Sequence, residues 1–272
     1  MKRRISGFSR TALALVFFSG FLSLSSLAGC QTPGVPPKNP KNPLIAPTPT
    51  PKPTDGTVLD LGFEGSGQEQ FVDPVPPAAK ASGKFFTANW KLDGGELRQT
   101  LPPTQPSLTF LQYVGNAFGT PSGQAPGHYR VEADVRAYQE ATVSPDEMVG
   151  SPTGMLGIIP YYLDSTHYLL MVATPNELAL WNVDGLAPQE TWDAEKYQLW
   201  HQAISPSLKV GDPLRLGVEV DIKAQRIKVF FNGEMKEVLD AKGILKDQDH
   251  YVSLVSNGNF VGYDNFKLKK FE

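Results

Sequence analysis

The stretch Tyr129-Arg130-Val131-Glu132-Ala133-Asp134-Val135-Arg136-Ala137 sets an apolar, small or aromatic residue at every second position, with a charged one between. Successive side chains on an extended strand point to opposite sides, so this alternation describes a strand with one buried and one solvated face. Leu214, Leu216, Val218, Val220 and Ile222 repeat it, alternating with Arg215, Gly217, Glu219 and Asp221. A turn at Lys223-Ala224-Gln225 leads into Ile227, Val229 and Phe231, alternating with Arg226, Lys228 and Phe230. Asn232-Gly233 follows at once, and both residue types accept the positive φ of a tight hairpin. Further strands are predicted at 57–63, 84–91, 95–99, 107–114, 154–162, 166–174, 177–183, 250–256 and 261–269. Helical spacing predicts one short helix, within 190–204. Many antiparallel strands with Gly and Pro turns make an all-β sandwich or jelly roll.

Upstream the composition changes twice. Residues 1–29 open with Lys2, Arg3 and Arg4, continue through Ala12-Leu13-Ala14-Leu15-Val16-Phe17-Phe18, and end in Leu27-Ala28-Gly29 before Cys30. A charged start, an apolar middle and small residues before a cut are the marks of a signal peptide. Leu27-Ala28-Gly29-Cys30 resembles the lipobox of bacterial lipoproteins, which implies cleavage before Cys30 and lipidation of its thiol. The partner so implied is membrane lipid, and the location is the extracytoplasmic cell envelope. Gln31 resembles a sorting position that permits export to the outer membrane in a diderm cell. Cys30 is the one cysteine, so the fold has no internal disulfide.

Residues 31–55 hold nine prolines and no aromatic residue. They cannot bury enough apolar surface to fold, and residues 30–55 read as the lipidated cysteine and a disordered tether. Residues 56–272 then form one β domain. The full chain carries 25 Lys and Arg against 28 Asp and Glu, net −3; removing residues 1–29, with Lys2, Arg3, Arg4 and Arg10 and no acid, leaves −7. An acidic domain without a basic cluster excludes nucleic acid as a partner.

Four segments, in order, resemble concanavalin A-like domains of the laminin-G and 3-keto-disaccharide-hydrolase-related kind. They are Leu61-Gly62-Phe63-Glu64-Gly65 with Trp90 and Gly94-Gly95-Glu96-Leu97; Tyr129 to Arg136; Leu216 to Val220 with Ile227 to Glu234; and Gly262-Tyr263-Asp264-Asn265-Phe266-Lys267-Leu268. The resemblance implies a concanavalin A-like jelly roll of two antiparallel sheets, a fold that hosts lectins, glycosidases and adhesion modules. Jelly rolls of this kind also imply a structural calcium, for which Glu64 and Asp264 are the candidates. Calcium takes six to eight oxygens, and the plainer role for both residues is in strand-end turns.

Catalytic signals are thin. Laminarinase-type members of this fold carry Glu-x-Asp-x-Glu on one strand, but here Arg136 follows Glu132 and Asp134, and Lys223 follows Glu219 and Asp221. A charge-balanced solvent face accounts for both. The histidines, His128, His167, His201 and His250, lack metal-ligand spacing. Asp164-Ser165-Thr166-His167 reads as a hairpin turn.

Aromatics say more. Tyr161, Tyr162, Tyr168, Trp181, Trp192, Tyr197 and Trp200 fall within 40 residues, near Asn176, Asn182, Asp184 and His201. Ring faces stack on sugars while polar neighbours bind hydroxyls, so Trp181, Tyr168, Tyr161 and Trp200 are the candidate carbohydrate platform; a sandwich core needs the same residues. Strands 166–174 and 177–183 are apolar on both faces, so the outer one meets either a second layer or a binding surface. The expected function is a non-catalytic, polysaccharide- or glycan-binding lipoprotein. A glycoside-acting enzyme of the same fold, and an adhesion module for another envelope protein, are the alternatives.

Overall fold

The computed structural model of this chain describes residues 55–80, 89–100, 108–138, 156–185, 194–257 and 261–272. The predicted signal peptide, Cys30 and nearly all of the predicted tether lie outside the described residues.

Two antiparallel sheets make up the domain. Sheet A contains β1 (Thr57–Leu61), β3 (Trp90–Asp93), β4 (Glu96–Gln99), β6 (His128–Ala137), β11 (Leu214–Asp221), β12 (Arg226–Phe231), β13 (Glu234–Asp240) and β15 (Val261–Lys270). Their order is β13-β12-β11-β6-β15-β4-β3, with β1 also paired to β15. Sheet B contains β2 (Phe71–Val72), β5 (Leu108–Tyr113), β7 (Leu156–Asp164), β8 (His167–Ala173), β9 (Glu177–Asp184), β10 (Gln198–Ala203) and β14 (Tyr251–Asn257), in the order β10-β9-β8-β7-β14-β5-β2.

The alternating segments do what their pattern requires. Tyr129, Val131, Ala133 and Val135 of β6, and Leu216, Val218 and Val220 of β11, face sheet B and are essentially inaccessible. They pack in one cluster with Ile158, Leu169, Met171, Leu180 and Leu254. Fully burying one such aliphatic side chain stabilises the fold by about 1.5–3 kcal/mol, and this inter-sheet layer is the principal source of stability. Asn232 and Gly233 take φ of 50° and 83°, the left-handed pair that closes the β12–β13 hairpin.

Sheet B departs from alternation, and a second apolar layer results. Phe110, Ile159, Tyr162, Tyr168, Leu170, Val172, Trp181 and Val183 lie on its outer face and are buried with Val75 and Tyr197. Val75 precedes α1 (Pro77–Lys80), and Tyr197 ends α2 (Ala194–Tyr197). Of the stretch 190–204, where a short helix is predicted, the described residues hold the four-residue helix α2, and Gln198–Ala203 extend as β10. The open edge of β9 decides it, since Trp200, His201 and Gln202 pair with Leu180, Ala179 and Leu178. Strand β13 escaped the pattern because it is a solvated edge with no buried side chain.

Candidate functional site

Two tight turns bring a polar row together at one end of sheet B. Asp164 and His167 flank the turn Ser165-Thr166, where Asp164 Oδ1 accepts hydrogen bonds from Thr166 N at 2.7 Å and Thr166 Oγ1 at 2.6 Å. At the other end of β8, Thr174 N donates to Glu177 O at 2.8 Å across Pro175-Asn176. That turn fixes the β8–β9 register and sets His167 opposite Asp184, and Leu169 opposite Asn182. Asp164, His167 and Asp184 therefore lie side by side across β7, β8 and β9.

The imidazole sits between the two carboxylates. His167 Nδ1 is 3.0 Å from each oxygen of Asp164, and Nε2 is 3.6 Å from Asp184 Oδ1. Burial opposes the charged form of Asp164, but hydrogen bonds from Thr166 and His167 outweigh it and hold the carboxyl below its usual range. Asn182 is two residues before Asp184 and so shares its face.

The facing wall is the loop 241–250 between β13 and β14. Tyr161 Oη bridges its backbone, donating to Lys246 O at 2.9 Å and accepting from Lys246 N at 3.0 Å. Gln225 ties the same loop to the β11–β12 turn: its Nε2 donates to Ile222 O at 2.7 Å and to Leu245 O at 3.0 Å. Lys246 Nζ thereby reaches 4.0 Å from Asp184 Oδ1. Between sheet and loop lies a small, open hollow, with room for about one water molecule. Tyr161, Leu163, Gly243 and Ile244 border it, and His167, Asn182, Asp184 and Lys246 supply its polar groups. Carboxylates accept hydrogen bonds from hydroxyls and the lysine and amide donate, while Leu163 and Ile244 offer apolar contact.

The predicted platform residues fall elsewhere or play another part. Trp181 and Tyr168 are 2% and 1% exposed, locked in the outer apolar layer of sheet B, where Tyr168 meets Phe110 edge-on at 5.1 Å. Trp200 is half-buried on β10 and packs against the main core. Tyr161 is 3% exposed and borders the hollow with its ring stacked at 4.8 Å on His250. None of Trp181, Tyr168 and Tyr161 presents an open ring face, because sheet B needs their bulk to fill its two layers. Asn182 and Asp184 do line the hollow, whereas Asn176 and His201 lie toward the opposite end of β9. Lys246 and the pairing of His167 with two carboxylates were missed; the turns at 165–166 and 175–176 carry the signal for the second.

Glu64 and Asp264 do approach one corner of sheet A. Asp264 lies where β15 changes partner, its upper part pairing with β4 and its lower part with β1. Burial raises the Asp264 carboxyl, and the charges of Asp134, Glu96 and Glu64 raise it further. Yet among the described residues no three His, Cys, Asp or Glu side chains converge as metal ligands. Two carboxylates fall short of the six to eight oxygens calcium takes, so the corner does not fit that ion on its own side chains.

The charged face of sheet A forms ion pairs throughout. Arg215 donates to Glu132 Oε2 at 3.0 Å and Asp134 Oδ1 at 2.9 Å, and Asn265 Nδ2 donates to Asp134 Oδ2 at 2.8 Å. Lys228 and His128 Nε2 lie 2.7 and 3.0 Å from Glu219 Oε1. The Arg130 guanidinium pairs with Glu132 and lies 3.5 Å over the Phe230 ring.

No family model matches the chain, and a search of curated proteins finds no match. Among solved structures the chain is similar to the Emp46p carbohydrate recognition domain in its metal-free form, with a TM-score of 0.51 and 11% identity over 78% of this chain and 95% of that one. The potassium-bound form of the same domain gives a TM-score of 0.50 and 12% identity over 79% and 96%. At such identity the likeness is one of fold, and it agrees with the two sheets described above: this chain is an all-β jelly-roll sandwich.

Proposed function

We propose that this chain is a lipid-anchored, extracytoplasmic protein whose β-sandwich binds carbohydrate without cleaving it. The observation that carries the reading is the surface grouping at the end of β7, β8 and β9, where His167, Asn182, Asp184 and Lys246 lie beside the apolar Leu163 and Ile244. That mixture suits a sugar, which offers hydroxyls on its rim and C–H groups on its faces. The Emp46p domain, whose fold this chain shares, is itself a carbohydrate recognition domain. The non-catalytic part of the reading is supported by Glu132 and Asp134, which are engaged by Arg130, Arg215 and Asn265 rather than free to work as an acid and nucleophile pair. The anchor rests on the Leu27-Ala28-Gly29-Cys30 sequence.

Affinity electrophoresis and a glycan array with residues 56–272 test the ligand. Retention by at least one glycan is expected, weakened about tenfold or more in Asp184→Ala, since a lost charged hydrogen bond costs roughly 1.5–3 kcal/mol. Retention unchanged in both Asp184→Ala and His167→Ala would move the site elsewhere. Intact-mass measurement on protein from a native membrane tests the anchor: a mature chain beginning at acylated Cys30 is expected, and an unmodified, uncleaved chain counts against it.

A further inference from the structure

We infer that β13 is the contact edge of a two-fold dimer, in which a second copy of this chain lays its own β13 antiparallel to the first about an axis at Val238. β13 ends sheet A, and with seven residues it is the longest of the strands that end the two sheets. Its outer side meets no strand among the described residues, which leaves a row of amide and carbonyl groups ready to pair. Two of the four large apolar side chains exposed among the described residues stand on it, Met235 at 57% and Val238 at 43%. They share a face. Met235 lies opposite Phe230 and Val238 opposite Lys228, and Lys236 is the extra residue of a bulge between them.

Backbone direction and charge agree on the register. Ala241 N donates to Gln225 O at 2.8 Å, so by the two-residue period of an antiparallel ladder Leu239 and Glu237 also turn toward β12, and Val238 and Asp240 turn outward. Val238 N donates to Glu237 Oε1 at 3.0 Å, a contact that the carbonyl of a facing Val238 can replace. About that axis Lys236 of each copy stands opposite Asp240 of the other, and Glu234 comes level with Lys242 just past the strand end. No like charges face each other, and unlike charges directly opposite stabilise a strand pair. Moving the axis by one residue loses this. At Glu237 it sets that carboxylate against its own copy and Glu234 against Asp240; at Leu239 it sets Lys236 against Lys242.

Each copy uses the same edge, so the contact closes on itself and assembly stops at two. One added edge buries less than the ~1,200 Å² of standard complexes, and the bulge shortens the regular ladder, so the pair is weak. The inference is independent of the carbohydrate reading: the axis lies on sheet A, and the polar row of His167 and Asp184 on sheet B.

Sedimentation velocity of residues 56–272, which hold both sheets and the core described above, tests the pair. Between about 10 and 500 µM the weight-average coefficient should climb from monomer toward dimer, with a Kd of roughly 10 µM to 1 mM. Val238→Lys sets two like charges at the axis and should weaken association about tenfold or more, as should Asp240→Lys. Lys236→Asp combined with Asp240→Lys exchanges the partners and should restore association to within about fivefold of the original. Cys30 is the one cysteine of the chain, so residues 56–272 carry no other thiol. In Val238→Cys the two Cα atoms come to about 5.5 Å, within disulfide reach, so mild oxidation should link the copies; His201→Cys, on the β10 edge of sheet B, should stay unlinked. A chain that remains monomeric throughout, association indifferent to Val238→Lys, an exchange that restores nothing, or equal cross-linking at 201 and 238 each overturns the inference.

Discussion

On the outer face of sheet A stand Arg130, Glu132, Asp134, Arg215, Glu219 and Lys228; on the outer face of sheet B stand Phe110, Tyr162, Tyr168, Leu170, Val172 and Trp181. The first set is joined by ion pairs around the buried Glu132 and Glu219, and the second is buried as completely as the space between the sheets. The difference shows why counting aromatics does not by itself mark a binding surface. Sheet B gathers Trp and Tyr to build a second core, and sheet A spends its carboxylates on neighbouring cations. The exposed polar row of Asp164, His167 and Asp184 is left at the end of the sandwich, where strands stop and a loop crosses.

Trp181→Ala tests that contrast most severely. Deleting a buried indole typically costs about 3–5 kcal/mol, so a fall in urea midpoint of that scale is expected, with sugar affinity of the folded fraction unchanged. If stability holds and affinity drops, the outer face of sheet B is a binding surface after all. On sheet A, Arg215→Ala should cost about 1–2 kcal/mol, because Glu132 loses one of two cations and is itself buried. The loss should shrink in high salt. A loss as large as that of Trp181→Ala would mean the charged face is as structural as the apolar one.

Between the sheets, His250 is 4% exposed, stacked on Tyr161 and Tyr129, with Nδ1 against Gln248 O at 2.7 Å. Burial pushes its pKa down, opposed by the carbonyls of Gln248 and Pro126 and by the charges of Asp247 and Asp249. The unfolded chain takes up a proton near pH 6.5 that the folded one resists. Stability should therefore be whole above about pH 6.5 and decline as pH falls below it. Melting temperatures from pH 8 to 5 should show that slope, shallower in His250→Phe; equal slopes would remove His250 from the account. The smallest effect is expected at Tyr168, whose fully buried hydroxyl has no hydrogen-bond partner among the described residues. Tyr168→Phe should leave stability unchanged or raise it by up to about 1 kcal/mol, since an unsatisfied buried hydroxyl is removed. A marked loss would mean the hydroxyl is satisfied.

Much of the fold was legible because its signals are local. Alternation in 129–137 and 214–222 is a direct imprint of one-sided burial, and Asn232-Gly233 announces its own turn. Gln198–Ala203 was not legible, since a strand that forms by pairing with β9 carries no pattern of its own. The site was half legible. Residues 164–167 and 174–177 are tight turns, and counting outward from the second pairs His167 with Asp184. Lys246 arrives from a loop some eighty residues away, held by Tyr161 and Gln225, and no spacing in the chain foretells that meeting.

Strand β15 holds the sheet A scheme together from late in the sequence. It pairs with β6 on one side and with β4 and β1 on the other, so residues 261–270 close contacts to residues 57–61 across two hundred positions. Loop closure on that scale must precede the pairings it permits, which makes folding slow and late. Until those residues are available, β6 and β1 lack their shared neighbour and sheet A cannot be completed. A chain wired in this way stays threadable until the residues of β15 have been made, a property that the export proposed above would need.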